Sequence, residues 1–425
     1  MNYFVLGLFI LTYVFLIWGK LHKLWVVGVA AGILIFTRTI SLPEAFSFVN
    51  WNVMTLFVGM LVLADLFIDS QVPAYFAQKL ASKAKTIVFA MLFICVLTSL
   101  ISAFVENVAT VLIIAPIAIS LAKNLKIKAA PFLIAIAICS NLQGTATLVG
   151  DPPSMILGSY AKLSFNDFFW FHGHPGIFFA VQAGALASFI VLYFIFRHYK
   201  ASVGQIEIVK VKTWRPTILI VLLILALATS SVIAPDAPLL SGMITLVFAL
   251  IGFLSQVVRV GHRAISDLIK PLDWSTTLFL LFIFIIVGSL TPAGVIDKIT
   301  YLMKSITGDN IFLTYTLIMW VSVLLSAFID NVPYILMMLP VAGGLAVYLG
   351  VSPYLFYFSL LIGASVGGNI TPIGASANIV SVGLAQKKAG EKISFKEFVK
   401  MGLPYTLAAV SAAWLVGWFF WRNLV

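Results

Sequence analysis

Apolar residues in this chain run in unbroken stretches of membrane-spanning length; they do not alternate with polar ones as on a surface helix or strand. Spans are predicted near 3–18, 23–39, 52–68, 131–157, 174–197, 215–234, 239–257, 275–291, 354–385 and 402–422. Two longer apolar regions, 84–124 and 310–348, are each interrupted at the middle by an acidic pair, Glu106-Asn107 and Asp330-Asn331. Such a break suits either two full spans or one re-entrant hairpin that enters and leaves on the same side.

The pattern also repeats. SAFVENVATVL at 102–112 and SAFIDNVPYIL at 326–336 share Ser, Ala, Phe, Asn, Val and Leu at a spacing of 224 residues. At the same spacing Pro116 pairs with Pro340, Gly144 with Gly368, Thr147 with Thr371 and Gly150 with Gly374. Upstream Trp51 pairs with Trp274, and downstream the SFNDF from Ser164 pairs with the SFKEF from Ser394. The chain therefore divides into N-terminal scaffold helices (1–50), a first repeat (51–200, with hairpin 84–124 and broken helix 131–157), a linker with two connecting helices (201–272) and a second repeat (273–425, with hairpin 310–348 and broken helix 354–385). With hairpins assigned, five spans separate the two repeat starts, and an odd number inverts the second copy. The expected fold is an all-α polytopic membrane protein of two inverted-topology repeats. It has about ten transmembrane helices, two re-entrant hairpins and helices broken at the midplane.

Composition agrees with the pattern: 62% of residues are hydrophobic and 10% charged, too little polar surface for a soluble globule of 425 residues. A formal net charge of +11 raises nucleic acid or anionic lipid as partners. The distribution of that charge gives another answer. Of 26 Lys and Arg residues, 21 fall on one side of the predicted topology, Lys20, Lys23, Lys79, Arg263, Lys270 and Lys400 among them. Only Arg38, Lys162, Lys298, Lys304 and Arg422 fall on the other. The positive-inside rule makes the larger set cytoplasmic, places both termini outside a cell membrane, and leaves no need for a nucleic-acid partner. The lysines after the first span follow it, the reverse of a cleavable signal, so that span is read as retained. Cys95 and Cys139 read as buried thiols, and His172 and His174 as loop residues without metal-ligand spacing.

Four acids lie within the apolar segments: Asp65, Glu106, Asp151 and Asp330. An acid at mid-membrane costs about 2.5–3.5 kcal/mol on insertion scales, so each needs a partner or a purpose. Asp65 is near the cytoplasmic end of its span, where snorkelling accounts for it as well as function does. Glu106 and Asp330 sit at corresponding tips. Helix capping explains the asparagines that follow them, whereas the acids point to a proton or a cation. SNLQGTATLVGDPPSMI from Ser140 and GGNITPIGASANIV from Gly367 put Gly, Pro, Thr, Ser and Asn where a helix should continue. Backbone exposed this way is tolerated in a membrane only where it is buried in protein or lines a wet cavity. Its freed N-termini can receive an anion and its freed carbonyls a cation, without a lysine or arginine in either segment. No HExxH, GxSxG or comparable catalytic set is present, so an enzyme is not expected.

In NLQGTATLVGDPPSMI, SAFIDNVPYILMMLPV and GGNITPIGASANIVSVGLA the chain resembles the ion transporter superfamily. That superfamily contains the arsenite permeases, D-type sodium/proton antiporters, the melanosomal P protein and the citrate and divalent-anion/sodium symporters. The P protein branch is nearest, and the TPIG at Thr371 to Gly374 is also similar to the arsenite permeases. The resemblance implies a homodimer in which a scaffold domain holds a transport domain of two hairpins and two broken helices that moves as an elevator. It implies substrate contacts at Asn107, Asn141, Gly144, Thr145, Thr147, Gly150, Asn331, Gly368, Asn369, Thr371, Pro372, Gly374, Ser376 and Asn378. It implies coupling-ion contacts at Glu106, Asp151 and Asp330, with a sodium site at Glu106, Asn107, Asp330 and Asn331. Sodium/dicarboxylate members carry Ser-Asn-Thr at both tips; the Glu-Asn-Val and Asp-Asn-Val found here set this chain apart from them.

The expected function is secondary active transport of a small anion or oxyanion-type solute, coupled to protons or sodium. Sodium/proton exchange and an ion channel are the alternatives. The expected partners are that ion, membrane lipid and a second copy of the chain; no cofactor is expected beyond a sodium ion.

Overall fold

Inside a bilayer every backbone N–H and C=O must find a partner within the protein, and this chain meets that demand almost wholly with helices. The computed structural model describes residues 2–19, 21–204, 208–234, 237, 239–261, 266, 269–270 and 272–424. Lys20 and Arg263, both assigned to the cytoplasmic face from sequence, lie outside the described residues.

Nineteen α-helices occur among the described residues. They are α1 (Tyr3–Trp18), α2 (Lys23–Phe36), α3 (Leu42–Phe48), α4 (Trp51–Asp69), α5 (Val72–Ser82), α6 (Ile87–Ser102), α7 (Asn107–Asn124), α8 (Ala130–Gly144), α9 (Pro152–Tyr160), α10 (Ile177–Phe196), α11 (Arg215–Ile233), α12 (Leu240–Val260), α13 (Trp274–Gly288), α14 (Val295–Thr307), α15 (Ile311–Ser326), α16 (Asn331–Leu349), α17 (Tyr354–Gly367), α18 (Ser376–Leu384) and α19 (Phe395–Trp421). Seven of them are long and apolar enough to cross a membrane, and a further seven are apolar at 10–17 residues. A two-stranded ribbon pairs Trp170–Phe171 with His174–Pro175, which places His172 in its turn and His174 in its second strand.

The two-copy organisation is visible in individual bonds. Ser102 Oγ donates to the Ser140 carbonyl at 2.8 Å, and Ser326 Oγ donates to the Ala364 carbonyl at 2.5 Å. Thr147 Oγ1 donates to the Ala103 carbonyl, and Thr371 Oγ1 to the Ala327 carbonyl. Each pair keeps the 224-residue spacing read from the sequence. At the start of the repeats Asn50 caps α4 through Val53 N (3.1 Å), and Asp273 caps α13 through Thr276 N (2.9 Å). Gln71 and Gly294 share a left-handed backbone, with φ of 61° and 70°, immediately before α5 and α14. Those two amphipathic helices and the short α3 are absent from the hydropathy reading, because their mixed composition and length hide them from a search for spans.

Each doubtful apolar region is a helix pair, α6–α7 and α15–α16, joined by a short turn that ends in the acid. Both predicted broken helices are interrupted: α8 ends at Gly144 and α9 starts at Pro152, while α17 ends at Gly367 and α18 starts at Ser376. All but one residue of α8 and all but the first residue of α17 are buried, so these helices form the centre of the molecule. The last helices of the two repeats, α10 and α19, pack along each other. Their approach is close enough that a Cβ on Gly184 would lie 2.7 Å from the Ala409 carbonyl oxygen.

At each break the chain doubles back on itself glycine to glycine. A Cβ on Gly374 would lie 2.5 Å from the Gly368 carbonyl oxygen, and one on Gly150 would lie 2.3 Å from that of Gly144. Gly374→Ala is therefore expected to destabilise by about 1–3 kcal/mol through forced overpacking. Gly383→Ala within α18, where a Cβ meets nothing within 4 Å, should be tolerated. Thermal unfolding of the two purified variants in detergent checks this, and equal midpoints would refute the close approach.

Candidate functional site

A cavity of about 540 Å³ opens where the two hairpin tips meet the second halves of the two broken helices. Glu106, Asn107, Asp330 and Asn331 line it from the tips, and Pro152, Pro153, Ala375 and Ser376 from the starts of α9 and α18. The remaining wall comes from α2 (Lys23), α4 (Phe57, Leu61, Ala64, Asp65, Ile68), the start of α13 (Asp273 to Thr276, Phe279) and Lys270.

Local sequence explains how the tip acids come to be there. Each directly precedes a helix, where an acidic side chain accepts from exposed backbone N–H groups and complements the helix dipole. Glu106 Oε2 accepts from Ala109 N at 2.9 Å and is 5% exposed. Asp330 Oδ1 accepts from Val332 N at 3.2 Å and is half-buried. The tips are thus equivalent in design and unequal in access.

Behind the cavity lies a buried network of amides. Asn107 Nδ2 donates to Asn141 Oδ1 (3.1 Å), and Asn141 Nδ2 donates to Asn369 Oδ1 (2.8 Å) and Asn378 Oδ1 (2.9 Å). Asn369 Nδ2 continues to the Ile138 carbonyl at 3.0 Å, and Asn378 Nδ2 to the Gly368 and Thr371 carbonyls at 2.8 Å each. Oriented to satisfy its neighbours, the Asn331 amide nitrogen faces Ser326 Oγ (2.6 Å), the Gly374 carbonyl (3.1 Å) and the Ala364 carbonyl (3.2 Å). Carbonyls freed by the interrupted helices are thereby satisfied without water. The network also crosses from one repeat to the other, which fixes the two breaks against each other.

The structure sorts the sequence-derived candidates by position. Glu106, Asn107, Asp330, Asn331 and Ser376 face the cavity. Asn141, Asn369 and Asn378 stand one layer behind it. Thr145 Oγ1 bonds the Asn141 carbonyl at 3.1 Å, Thr147 and Thr371 tie the breaks to the tips, and Gly144, Gly150, Gly368 and Gly374 make the tight backbone crossings. Asp151 lies outside the cavity lining: it caps α9, its Oδ1 accepting from Ser154 N at 2.8 Å, and is 1% exposed. Pro372 is half-buried beside the second break and also off the lining.

Sequence reading did not single out Lys23, Lys270 or Asp273 for the site, and it left Asp65 undecided; all four line the cavity. A signal for Asp273 was present, since it directly precedes Trp274, the partner of Trp51, at the place held by Asn50 in the first repeat. Lys23 gave none: it lies outside both repeats and reads as one more cytoplasmic lysine. In the structure its Nζ lies 5.0 Å from the Phe279 ring centroid and donates to Ser376 Oγ at 3.3 Å. No group of three or more His, Cys, Asp or Glu side chains poised for a metal ion occurs among the described residues. A sodium ion at the tips would thus draw on amide and backbone oxygens besides the two acids.

The comparisons with known proteins bear on family and fold. Residues 13–363 and, in a second overlapping match, 239–424 fit the family model described as Citrate transporter. A chain of Mycobacterium tuberculosis described as an uncharacterized transporter is 32% identical over 431 residues, covering 98% of each chain. The P protein of Mus musculus is 27% identical over 449 residues, covering 86% of this chain and 53% of that protein. Among solved structures, the YdaH transporter of Alcanivorax borkumensis, described as having an unusual topology, superposes with a TM-score of 0.60 at 14% identity. That likeness covers 92% of this chain and 90% of the other, and it concerns the fold. Family model, full-length relatives and fold together place the chain in the citrate transporter family, as an integral membrane transporter and not an enzyme.

Proposed function

We propose that the protein is a secondary active carrier of a small anion, coupled to protons or sodium, with the cavity between the hairpin tips as its transport site. The observation that carries this reading is the convergence of both tip acids, both tip asparagines and the starts of both second half-helices on one space of about 540 Å³. That volume is within the usual range for small-molecule sites. The helix starts offer partial positive charge to an anion, and the acids offer a place for the coupling cation. The family description puts citrate first among passengers to be tried.

The depth of the site supports re-entrant hairpins. Each tip is bonded to the break of its own broken helix, so it sits at the level where that helix is interrupted. Lys23, Lys270 and the Asp65 end of α4 all belong to the lysine-rich side, so the cavity in this state opens toward the cytoplasm. The elevator movement and the homodimer implied by the resemblance belong to the same proposal. Glu106→Gln and Asp330→Asn are each expected to lower coupled uptake in proteoliposomes at least tenfold while leaving the protein folded. Wild-type uptake with unaltered pH and sodium dependence in both variants would remove the acids from coupling.

A second reading, sodium/proton exchange, is favoured by the lining itself, where Asp65, Glu106, Asp273 and Asp330 outnumber Lys23 and Lys270. The two readings separate in proteoliposomes free of any organic or oxyanion solute other than an impermeant buffer. A sodium gradient that moves protons there establishes the exchanger, and absence of movement until citrate is supplied establishes the anion carrier.

A further inference from the structure

Beside the cavity the two repeats differ in whether the second half-helix starts on its own acid. In the first repeat Asp151 stands at the N-cap of α9, where its carboxylate accepts from Ser154 N and compensates the positive end of the helix. The residue 224 positions later is Ala375, which has no oxygen to offer, and the N-terminus of α18 has no side-chain cap. This uncapped end belongs to the transport cavity, for Ala375 and Ser376 both line it.

Two further donors line an adjoining chamber that also reaches Ser376. Lys23 Nζ reaches Ser376 Oγ, and an ammonium keeps other N–H groups for another acceptor. Tyr13, on α1, is 8% exposed, and its hydroxyl has no hydrogen-bond partner among the described residues. It lines this chamber, of about 510 Å³, together with Lys23, Asp330 and Ser376. A buried hydroxyl without a partner is uncommon in a folded protein and points to a group that arrives later. The carboxylates nearby are engaged by other helix starts: Asp273 takes Thr276 N (2.9 Å) and Thr276 Oγ1 (2.6 Å), and Asp330 takes Val332 N (3.2 Å). Beside these acids, Lys23 and Tyr13 bring donor capacity to the neck.

We infer that Lys23, Tyr13, Ser376 and the open N-terminus of α18 form an oxyanion subsite, in which an oxyanion group of the passenger takes the place that the Asp151 side chain fills in the first repeat. The inference rests on the anion-carrier reading above and gives it a location and a specificity-determining residue. Lys23 supplies the charge from outside the repeats, and the helix end and the two hydroxyls supply directed hydrogen bonds. A carboxylate built in at position 375 would occupy the subsite from within the chain.

The test is a titration of full-length purified protein with citrate, succinate and sulfate, and separately with sodium, followed by thermal unfolding. Lys23→Met and Ala375→Asp are each expected to weaken the anion that stabilises wild type at least tenfold, while the sodium response stays within twofold. Lys23→Arg should keep most of the anion affinity, and Tyr13→Phe should lose about fivefold. If Ala375→Asp does not fold, Lys23→Met and Tyr13→Phe carry the test. Anion affinity within twofold of wild type in the folded variants overturns the subsite and leaves the carrier reading standing. Wild-type protein that neither binds nor takes up any of the three anions overturns both.

Discussion

The structure depends on what happens to backbone groups where a helix stops inside a bilayer. An unpaired carbonyl or N–H in hydrocarbon costs several kcal/mol, so an interruption can persist only if the protein supplies the missing partners. Here the supply is local and doubled. In each repeat a threonine within the break bonds the carbonyl at the start of the hairpin turn, and a serine before the turn bonds a carbonyl near the end of the first half-helix. Tip and break thus satisfy each other. Separating them would leave these carbonyls without the partners they have here.

Within that shared frame the repeats have diverged in what they leave unsatisfied. The crossing of the two breaks is filled by three asparagines, one from the first repeat and two from the second, and their mutual bonds leave the crossing closed. The tips are more open, and the second more than the first, since Asp330 is half-buried where Glu106 is almost fully enclosed. In the proposed transport site, the groups open to a passenger are therefore those of the tips and the second half-helices, while the amides behind them hold the geometry. Polar residues at a helix break serve both purposes, and composition alone does not separate them.

That distinction marks how far the sequence was legible. The repeat, the spans, the interruptions and the acid-bearing tips follow from hydropathy and a constant spacing, because bilayer thickness and backbone satisfaction act on every residue of a span. Asn107, Asn331, Ser376 and the tip acids, which line the cavity, stand out in the sequence because they interrupt apolar stretches. Lys23, Asp273 and Tyr13 were not, since each reads as an ordinary residue at the end or face of a span. Their part in the site comes from tertiary packing, where α1, α2 and α13 close against the tips from outside the hairpins. Helices α5 and α14 escaped for another reason: they are amphipathic and too short to span, so a search for spans passes over them.

The distribution of bonds also bears on how a carrier of this design would move. Within the unit of tips and broken helices the contacts are many, buried and mutually dependent. Across its boundary with α2, the polar link Lys23–Ser376 is long for a charge-assisted bond, at 3.3 Å, and half-buried. A bond of that kind, partly open to water, contributes little on its own, so breaking it does not fix the unit in one position. On the cavity side, α4 and α13 present the apolar side chains Phe57, Leu61, Ala64 and Phe279. Such surfaces can slide past one another without orphaning a hydrogen bond. In the elevator reading, two states of similar energy require this contrast: a core whose amides and break carbonyls are largely bonded among themselves, moving along walls that hold it by few polar contacts.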